Sequence, residues 1–270
     1  MKNQIIIVEG LPSTGKSTTA KYIAENLNIK FIDESDENHP ADYVYRAFIN
    51  NKILKNFSQN DQNLIISNSI KIENGYIVPL DKFNDKLLDS LLKYKIYDAL
   101  PWNIERKLFL QKWKKFVNNI DDNYVFNCNF LQNPMCETMI RFNFRVQISY
   151  KFIKEIYDII KPLNPIVIYL KNNNIKDSIL NVLNERGNDW LNCVINYHCL
   201  QKYGKNNNLS GFDGYIKALE ERQRRELYIL KKLGINFIVI ESDHKNFNKS
   251  YKKIMSCIEN YSRKWGNNIW

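Results

Sequence analysis

The sequence lacks the long apolar run that a membrane-spanning helix requires. No stretch of about 18 consecutive apolar residues occurs, so no transmembrane helix is predicted. The apolar run that begins at Ile5 is too short for a secretory signal, and the expected compartment is therefore the cytoplasm.

Cysteine is scarce and irregularly placed. The chain has five cysteines: Cys128, Cys136, Cys193, Cys199 and Cys257. An odd number at wide spacing argues against a disulfide framework. Cys193, His198 and Cys199 lie close in sequence, but their spacing is not that of a two-residue zinc knuckle, and no second pair complements them. The pattern predicts buried thiols rather than a metal site.

The chain has the composition of a folded domain, and it is basic. Its 270 residues are 44% hydrophobic and 13% aromatic, which excludes a disordered chain and suits one large domain, or one domain with an insertion. The net charge is 39 − 29 = +10. Such a charge is compatible with nucleic acid, an anionic membrane or phosphorylated small molecules, and does not choose among them. No internal repeat is found.

Short apolar runs alternate with helical patterns along the chain. The predicted strands are residues 4–8, 29–32, 124–128, 165–170 and 236–240. Their continuous apolar character is typical of parallel strands covered on both faces. Five strands alternating with helices predict a three-layer α/β/α fold with a five-stranded parallel sheet.

Residues 38–119 interrupt this alternation and predict a mainly helical insertion. Its expected helices are residues 41–54, 81–94 and 101–117. Asn74-Gly75, between residues 70–72 and 76–78, is a strong signal for a two-residue hairpin. Four aromatic residues of this segment are expected in the core rather than in an acceptor-stacking box: Trp102, Phe109, Trp113 and Phe116.

The segment Gly10-x-x-x-x-Gly15-Lys16-Ser17 matches the nucleotide-binding phosphate loop. It follows a buried strand and opens a helix, so backbone N–H groups and the helix N-terminus can converge on an anion. Lys16 can reach the outer phosphates, and the Ser17 hydroxyl can ligate Mg²⁺. The residues expected to bind the nucleotide here are Gly10, Ser13, Thr14, Gly15, Lys16, Ser17 and Thr18.

From this loop through the five strands, residues 1–270 resemble the P-loop nucleoside and nucleotide kinases. The likeness is greatest to the thymidylate-kinase and deoxynucleoside-kinase branch, including small antibiotic-phosphorylating relatives. The resemblance implies ATP as donor, Mg²⁺, and an insertion at 38–119 that binds the acceptor. It also implies a catalytic carboxylate just beyond strand two, at Asp33 or Glu34, with Glu34 slightly preferred.

The resemblance further implies a lid at residues 184–212. Arg186 would fold over the phosphates and stabilise the transferring group, because a guanidinium offers planar, bidentate donors. Many relatives carry two or more arginines here. The sequence leaves open whether Lys202 and Lys205, or Arg222 and Arg225 of the next helix, supply the missing charge. Asp243 follows strand five, where related kinases wrap a loop about the adenine.

Strand three departs from the family pattern. Related kinases usually end this strand with an acidic residue followed by Arg, but this chain has Asn127 followed by Cys128. Either the metal is held mainly through Ser17, water and phosphates, or Glu137 substitutes for the missing acid. Arg141 and Arg145 lie one helical turn apart, and either bind an anionic substrate or form structural ion pairs.

The sequence thus predicts an Mg²⁺-ATP-dependent phosphotransferase that acts on a nucleoside, a nucleotide or a natural product such as an antibiotic. Two alternatives remain: a nucleotide-binding regulatory protein without kinase activity, and a kinase or binder of nucleic-acid ends. No membrane partner is expected, and nucleic acid is not the favoured partner. The acceptor, the preference for ATP or GTP, the choice between Asp33 and Glu34, and homodimer formation are left open.

Overall fold

A computed structural model of the chain describes residues 4–242 and 247–264. The strands are β1 (Ile5–Gly10), β2 (Lys30–Ile32), β3 (Arg46–Asn50), β4 (Ile70–Ile72), β5 (Gly75–Pro79), β6 (Tyr124–Asn127), β7 (Ile166–Lys171) and β8 (Asn236–Glu241). The helices up to β6 are α1 (Lys16–Leu27), α2 (Asn51–Leu54), α3 (Gln59–Ser67), α4 (Asp85–Leu92), the irregular turn α5 (Ile96–Ala99) and α6 (Trp102–Asn119). The later helices are α7 (Gln132–Met135), α8 (Val146–Ile160), α9 (Ile175–Leu200), α10 (Lys202–Asn206), α11 (Gly211–Leu233) and α12 (Phe247–Lys264). A π-helical segment, Cys136–Arg141, follows α7, and 3₁₀ turns span Leu80–Lys82 and Lys161–Leu163.

Five strands form one parallel sheet in the order β2-β6-β1-β7-β8. The central strand β1 is buried along its whole length, and Ile6 lies opposite Val125 on one side and Ile166 on the other. The predicted five-stranded parallel sheet is therefore confirmed. The phosphate loop leaves the sheet at the carboxyl end of its central strand.

Helices cover both faces of this sheet. On one face, Ile23 of α1 and Ile254 of α12 join the apolar core formed by alternate residues of the strands. On the other face, the Phe126 ring lies 5.9 Å from the ring of Trp113 and 5.2 Å from that of Phe116, measured between centroids. The arrangement is the predicted three-layer α/β/α fold.

Residues 35–112 form a compact unit of their own, and the remaining residues form the other. The smaller unit contains the antiparallel sheet β3-β5-β4 and the helices α2 to α5 with the first part of α6. The predicted hairpin is present, but Ile72 lies opposite Gly75, so its two-residue turn is Glu73-Asn74 and not Asn74-Gly75 as the sequence predicted. Gly75 has a φ of +156°, and a Cβ atom there would lie 2.3 Å from the carbonyl oxygen of Ile49, so this position requires glycine.

The prediction of one helix over residues 41–54 is wrong. Arg46–Asn50 is a strand that pairs with β5, and only Asn51–Leu54 is helical. Strand pairing buries Ala47 and Ile49 in an apolar cluster, which outweighs the local helical pattern. The Asn50 side chain then accepts hydrogen bonds from the backbone N–H groups of Lys52 and Ile53 and starts the short helix.

The cysteines and core aromatics follow the sequence analysis in part. All five cysteines are free: Cys128 and Cys199 are buried, Cys136 and Cys257 are half-buried, and Cys193 is exposed on α9. Phe109, Trp113 and Phe116 are buried as predicted, whereas Trp102 is half-buried. Within residues 4–242 and 247–264, no helix is long and apolar enough to cross a membrane.

The substitution Trp113→Ala is expected to lower the free energy of unfolding by about 3–5 kcal/mol, because the indole is fully buried against Phe116 and Phe126 and its removal leaves a cavity. Urea denaturation followed by circular dichroism measures this loss. Ile148→Ala serves as the control, since Ile148 is 39% exposed, and it should change stability by less than about 1 kcal/mol. Equal effects of both substitutions would contradict the central role of this aromatic cluster.

Candidate active site

The phosphate loop has the backbone shape that anion binding requires. Ser13 and Gly15 adopt left-handed conformations, with φ of 66° and 83°, which turn successive N–H groups inward. Gly15 has no side chain to cap α1, and no acidic residue occupies the first turn of that helix. Its N–H groups and positive end therefore remain available to a phosphate. At Gly10, a Cβ atom would lie 2.5 Å from the carbonyl oxygen of Leu170 on the neighbouring parallel strand β7, so this position excludes larger residues.

A cavity of about 630 Å³ adjoins this loop. Four of the residues predicted for catalysis or metal binding line it together: Lys16, Ser17, Glu34 and Arg186. Lys16 is held by the loop itself, since its ammonium donates to the carbonyl oxygen of Leu11 at 2.9 Å. The structure thus brings residues from distant parts of the sequence together around one cavity.

The acidic pair beyond β2 is split between two environments. Glu34 lines the cavity and accepts a 2.8 Å hydrogen bond from the side-chain amide of Gln132. Asp33 instead lies 3.5 Å from the side-chain nitrogen of Asn127. That same amide donates to the Ser17 hydroxyl at 2.9 Å, so Asn127 connects the metal-ligand candidate with an acidic residue.

Glu9, the residue before Gly10, is a buried carboxylate that the sequence analysis did not identify. It is fully buried, and its Oε1 accepts hydrogen bonds from the backbone N–H groups of Phe130 at 2.8 Å and Leu131 at 2.7 Å. Its Oε2 accepts a longer bond, 3.3 Å, from the N–H of Gln132. Burial, and secondly the charge of Glu226, raise the pKa of Glu9 to about 7, although these N–H groups and Lys16 oppose the shift.

A buried ion pair lies behind the phosphate loop. The guanidinium of Arg222 is 3.0 Å from Glu226, and it also donates to the carbonyl oxygen of Gly10 at 3.3 Å. Tyr169 donates its hydroxyl proton to Glu226 at 2.6 Å. Burial disfavours the charged guanidinium, but the Glu226 carboxylate more than offsets this and raises the pKa of Arg222 above its usual value. Arg222 therefore brings a permanent positive charge to the cavity that it lines.

The region predicted as a lid is helical for much of its length. Helix α9 begins at Ile175 and continues through part of this region to Leu200, with a bend at Gly187. Arg186 is exposed on the cavity side of this bend, and its guanidinium lies 5.1 Å from the centroid of the Trp190 ring. Of the further cations considered for the lid, Arg222 lines the cavity. Arg225 donates to the carbonyl oxygen of Phe144.

The remaining predicted residues lie elsewhere or outside the description. Arg141 and Glu137 form an ion pair of 2.8 Å and are both largely buried, and neither is among the residues that line the cavity. Arg145 is exposed just before α8. Asp243, expected near the adenine, falls outside the described residues. The proposed substrate contacts of Arg141 and Arg145, and the metal role of Glu137, stay predictions.

His198 is another residue that lines the cavity. Its Nδ1 contacts the carbonyl oxygen of Val194 at 2.7 Å, and its ring lies 4.8 Å from that of Tyr215, measured between centroids. Burial lowers the pKa of His198 to about 4, so the imidazole stays neutral at physiological pH. This part of the wall adds no charge next to Arg222.

Glu9→Gln is expected to gain stability relative to the wild type as the pH rises. The pKa of about 7 for Glu9 in the folded state exceeds its ordinary value of 4.5, so the folded protein holds this proton more tightly than the unfolded chain does. Ionising Glu9 therefore costs the wild type stability as the pH rises through this window. The difference in unfolding free energy, variant minus wild type, should increase by about 2 kcal/mol between pH 5 and pH 8. Urea titrations at several pH values measure it, and a constant difference would contradict the raised pKa.

Comparison with known proteins gives remote structural likenesses. No protein-family model matches the chain, and no curated protein matches it. The YorR protein of Bacillus subtilis, solved in complex with phosphorylated GDP, is 14% identical with a TM-score of 0.46, covering 95% of this chain and 96% of that one. Deoxyadenosine kinase from M. mycoides, solved with dCMP and dCDP, is 16% identical with a TM-score of 0.45, over 95% of this chain and all of that one. Thymidylate kinase from Candida albicans is 12% identical with a TM-score of 0.45, covering 96% and 92% of the two chains.

These similar structures include a nucleoside kinase and a nucleotide kinase, the groups that the sequence resembles. The chain's own five-stranded parallel sheet, with the phosphate loop at the end of its central strand, is the three-layer α/β/α arrangement that the sequence predicts.

Proposed function

We propose that the protein is an Mg²⁺-ATP-dependent phosphotransferase that transfers the γ-phosphoryl group to a hydroxyl or phosphate of a small molecule. The observation that carries the proposal is the cavity where Lys16, Ser17, Glu34 and Arg186 meet. A phosphate-binding loop, a carboxylate and two cations in one cavity are the parts that phosphoryl transfer needs. The acceptor classes to test are nucleosides, nucleotides and antibiotics.

In this mechanism Glu34 accepts the proton of the acceptor hydroxyl while the hydroxyl oxygen attacks the γ-phosphorus. One P–O bond forms, the bond from the γ-phosphorus to the bridging oxygen breaks, and the nucleoside diphosphate leaves. Lys16, Arg186 and the loop N–H groups stabilise the charge that develops on the transferring group. Glu34 suits the role of base better than Asp33 because it lines the cavity and is held by Gln132.

The residues near Ser17 fit a magnesium ion that keeps most of its water. Among the described residues, no three His, Cys, Asp or Glu side chains form a metal-binding group. Mg²⁺ in nucleotide sites usually takes one or two protein oxygens, with phosphates and water as its other ligands. The Ser17 hydroxyl, with Asp33 close to the same Asn127 amide, would supply them. When bound, the ion would neutralise charge on the phosphates.

A second candidate is a nucleotide-binding regulatory protein without transfer activity. Two features favour it: strand β6 ends in the neutral Asn127, and Arg186 is the one arginine in the sequence of residues 184–212. Tight nucleotide binding together with no product from any acceptor, in a screen over nucleosides, nucleotides and antibiotics, would support this candidate over the kinase. The roles proposed for residues 38–119 in acceptor binding and for 184–212 as a lid stay predictions.

Lys16→Ala is expected to reduce phosphoryl transfer by about 10²–10³-fold or more, because the variant loses the cation nearest the outer phosphates. The measurement is product formation from ATP with each acceptor class, and circular dichroism verifies folding. Lys21→Ala is the matched control, since Lys21 is exposed on the same helix. Wild-type turnover by a folded Lys16→Ala protein would rule out the mechanism.

Substitution of the two acidic residues separates their roles. Glu34→Gln should lower kcat by about 10²–10⁴-fold with a smaller change in nucleotide affinity, because it removes the base. Asp33→Asn should mainly raise the Mg²⁺ concentration needed for half-maximal activity, since Asp33 lies beside the Asn127–Ser17 contact. Steady-state kinetics at varied Mg²⁺ measure both effects. The reverse pattern would assign the base to Asp33.

A further inference from the structure

The loop after β6 is held by a carboxylate inside the protein. Cys128 and Asn129 adopt left-handed conformations in succession, with φ of 69° and 82°, which is unfavourable for cysteine and tolerated by asparagine. The next three backbone N–H groups, those of residues 130–132, all point at the Glu9 carboxylate. Consecutive N–H groups that converge in this way form an anion-binding nest, and here a side chain of the same protein fills it.

This nest lies next to the candidate base. Gln132 supplies the last N–H group of the nest, and its side-chain amide donates to Glu34 at 2.8 Å. Glu9 therefore contacts the backbone of the residue that holds Glu34. Glu9 also immediately precedes Gly10, so the nest connects the central strand with the loop that carries Gln132.

We infer that Glu9 is a positioning residue for phosphoryl transfer: by filling the nest of residues 130–132, it places Gln132 so that its amide orients the Glu34 carboxylate. The inference rests on the proposed function for its kinetic consequences. The contact between Glu9 and Gln132, however, is tested independently of any activity. Glu9 touches neither the cavity nor a reacting atom, so its effect passes through Gln132.

The two oxygens of Glu9 differ in a way that makes this contact sensitive to pH. Oε1 has the two short bonds from Phe130 and Leu131, whereas Oε2 has the single 3.3 Å bond from Gln132. Protonation of Glu9 is therefore least unfavourable at Oε2. A proton on that oxygen displaces the Gln132 N–H group. Among the described residues, the titratable groups that interact electrostatically with Glu9 are Lys16, Cys128, Tyr169 and Glu226. Arg222 is the ion-pair partner of Glu226. Burial and Glu226 raise the pKa of Glu9 to about 7, so the titration falls in an accessible range.

The test compares Glu9→Gln, Gln132→Ala and the double variant with the control Glu25→Gln, a change at an exposed position of α1. Glu9→Gln and Gln132→Ala should each lower kcat at pH 8 by about 10–100-fold, while nucleotide Kd changes less than about twofold. The double variant should lose no more than Gln132→Ala alone, because both changes break one connection. Wild-type kcat should fall on acidification with a midpoint near the Glu9 pKa, and Glu9→Gln should lack this limb.

Unchanged kcat in either single variant would overturn the inference, and so would losses that multiply in the double variant. A Glu9→Gln effect confined to nucleotide Kd would also overturn it, since Glu9 would then act on the phosphate loop alone. The contact itself is followed in ¹⁵N-labelled protein, where the amide resonance of Gln132 should titrate with Glu9 in the wild type and not in Glu9→Gln. If no acceptor is phosphorylated, the proposed function fails while this titration still decides whether Glu9 controls Gln132.

Discussion

Buried charged side chains behind the phosphate loop determine how the candidate active site is arranged. Glu9 and Glu226 are completely buried carboxylates, and Arg222 is a nearly buried guanidinium between Glu226 and the Gly10 carbonyl. An uncompensated buried charge costs several kcal/mol, so each group must keep its partners. Arg222 does so by binding Glu226 and the backbone of Gly10, and Glu9 by filling the nest after β6. The requirement to satisfy these charges therefore fixes both the start of the phosphate loop and the segment opposite it.

The same arrangement separates charges of opposite sign around the phosphate loop. The positive groups, Lys16 and Arg222, approach the cavity from α1 and α11, and Arg186 approaches it from α9. The negative groups lie beyond β2, where amides hold them: Gln132 holds Glu34, and Asn127 lies between Asp33 and Ser17. Both of these amides are neutral, so they hold the carboxylates without adding charge to this side of the site.

Much of the fold, and the phosphate loop, could be predicted because their signals are local. Apolar runs mark the sheet strands, and the spacing of Gly10, Gly15 and Lys16 marks the loop. Residues 46–50 were beyond such reasoning, since their helical pattern is overruled by pairing with a strand about thirty positions later. The Glu9 nest was missed because its partners are more than 120 positions away. One signal was present: a lone carboxylate at the end of an otherwise apolar buried strand needs a partner that the local sequence does not provide.

The ion pair of Arg222 and Glu226 was likewise visible only as an i, i+4 spacing on α11, which usually marks an exposed surface pair. The pair is buried because it lies against Tyr169 of β7 and the backbone of Gly10. Sequence spacing therefore gave the pair's geometry but not its environment. Sequence position alone did not show that Arg222 is buried and lines the cavity, whereas Lys202, Lys205 and Arg225 are not among its lining residues.

The bend in α9 at Gly187 depends on backbone dihedral angles that glycine allows, not on the space around the residue. Gly187 has φ of 78° and ψ of 170°, and a Cβ atom built there would have no heavy atom within 4 Å. An L-residue is disfavoured at this position by its own backbone alone, whereas the mirror-image angles lie in a broadly allowed region. A D-alanine introduced at 187 by chemical ligation would therefore suit the bend and leave Arg186 in place, while L-alanine would pull the two halves of α9 toward one straight helix. The direction in which this segment turns therefore depends on one α-carbon that carries no side chain.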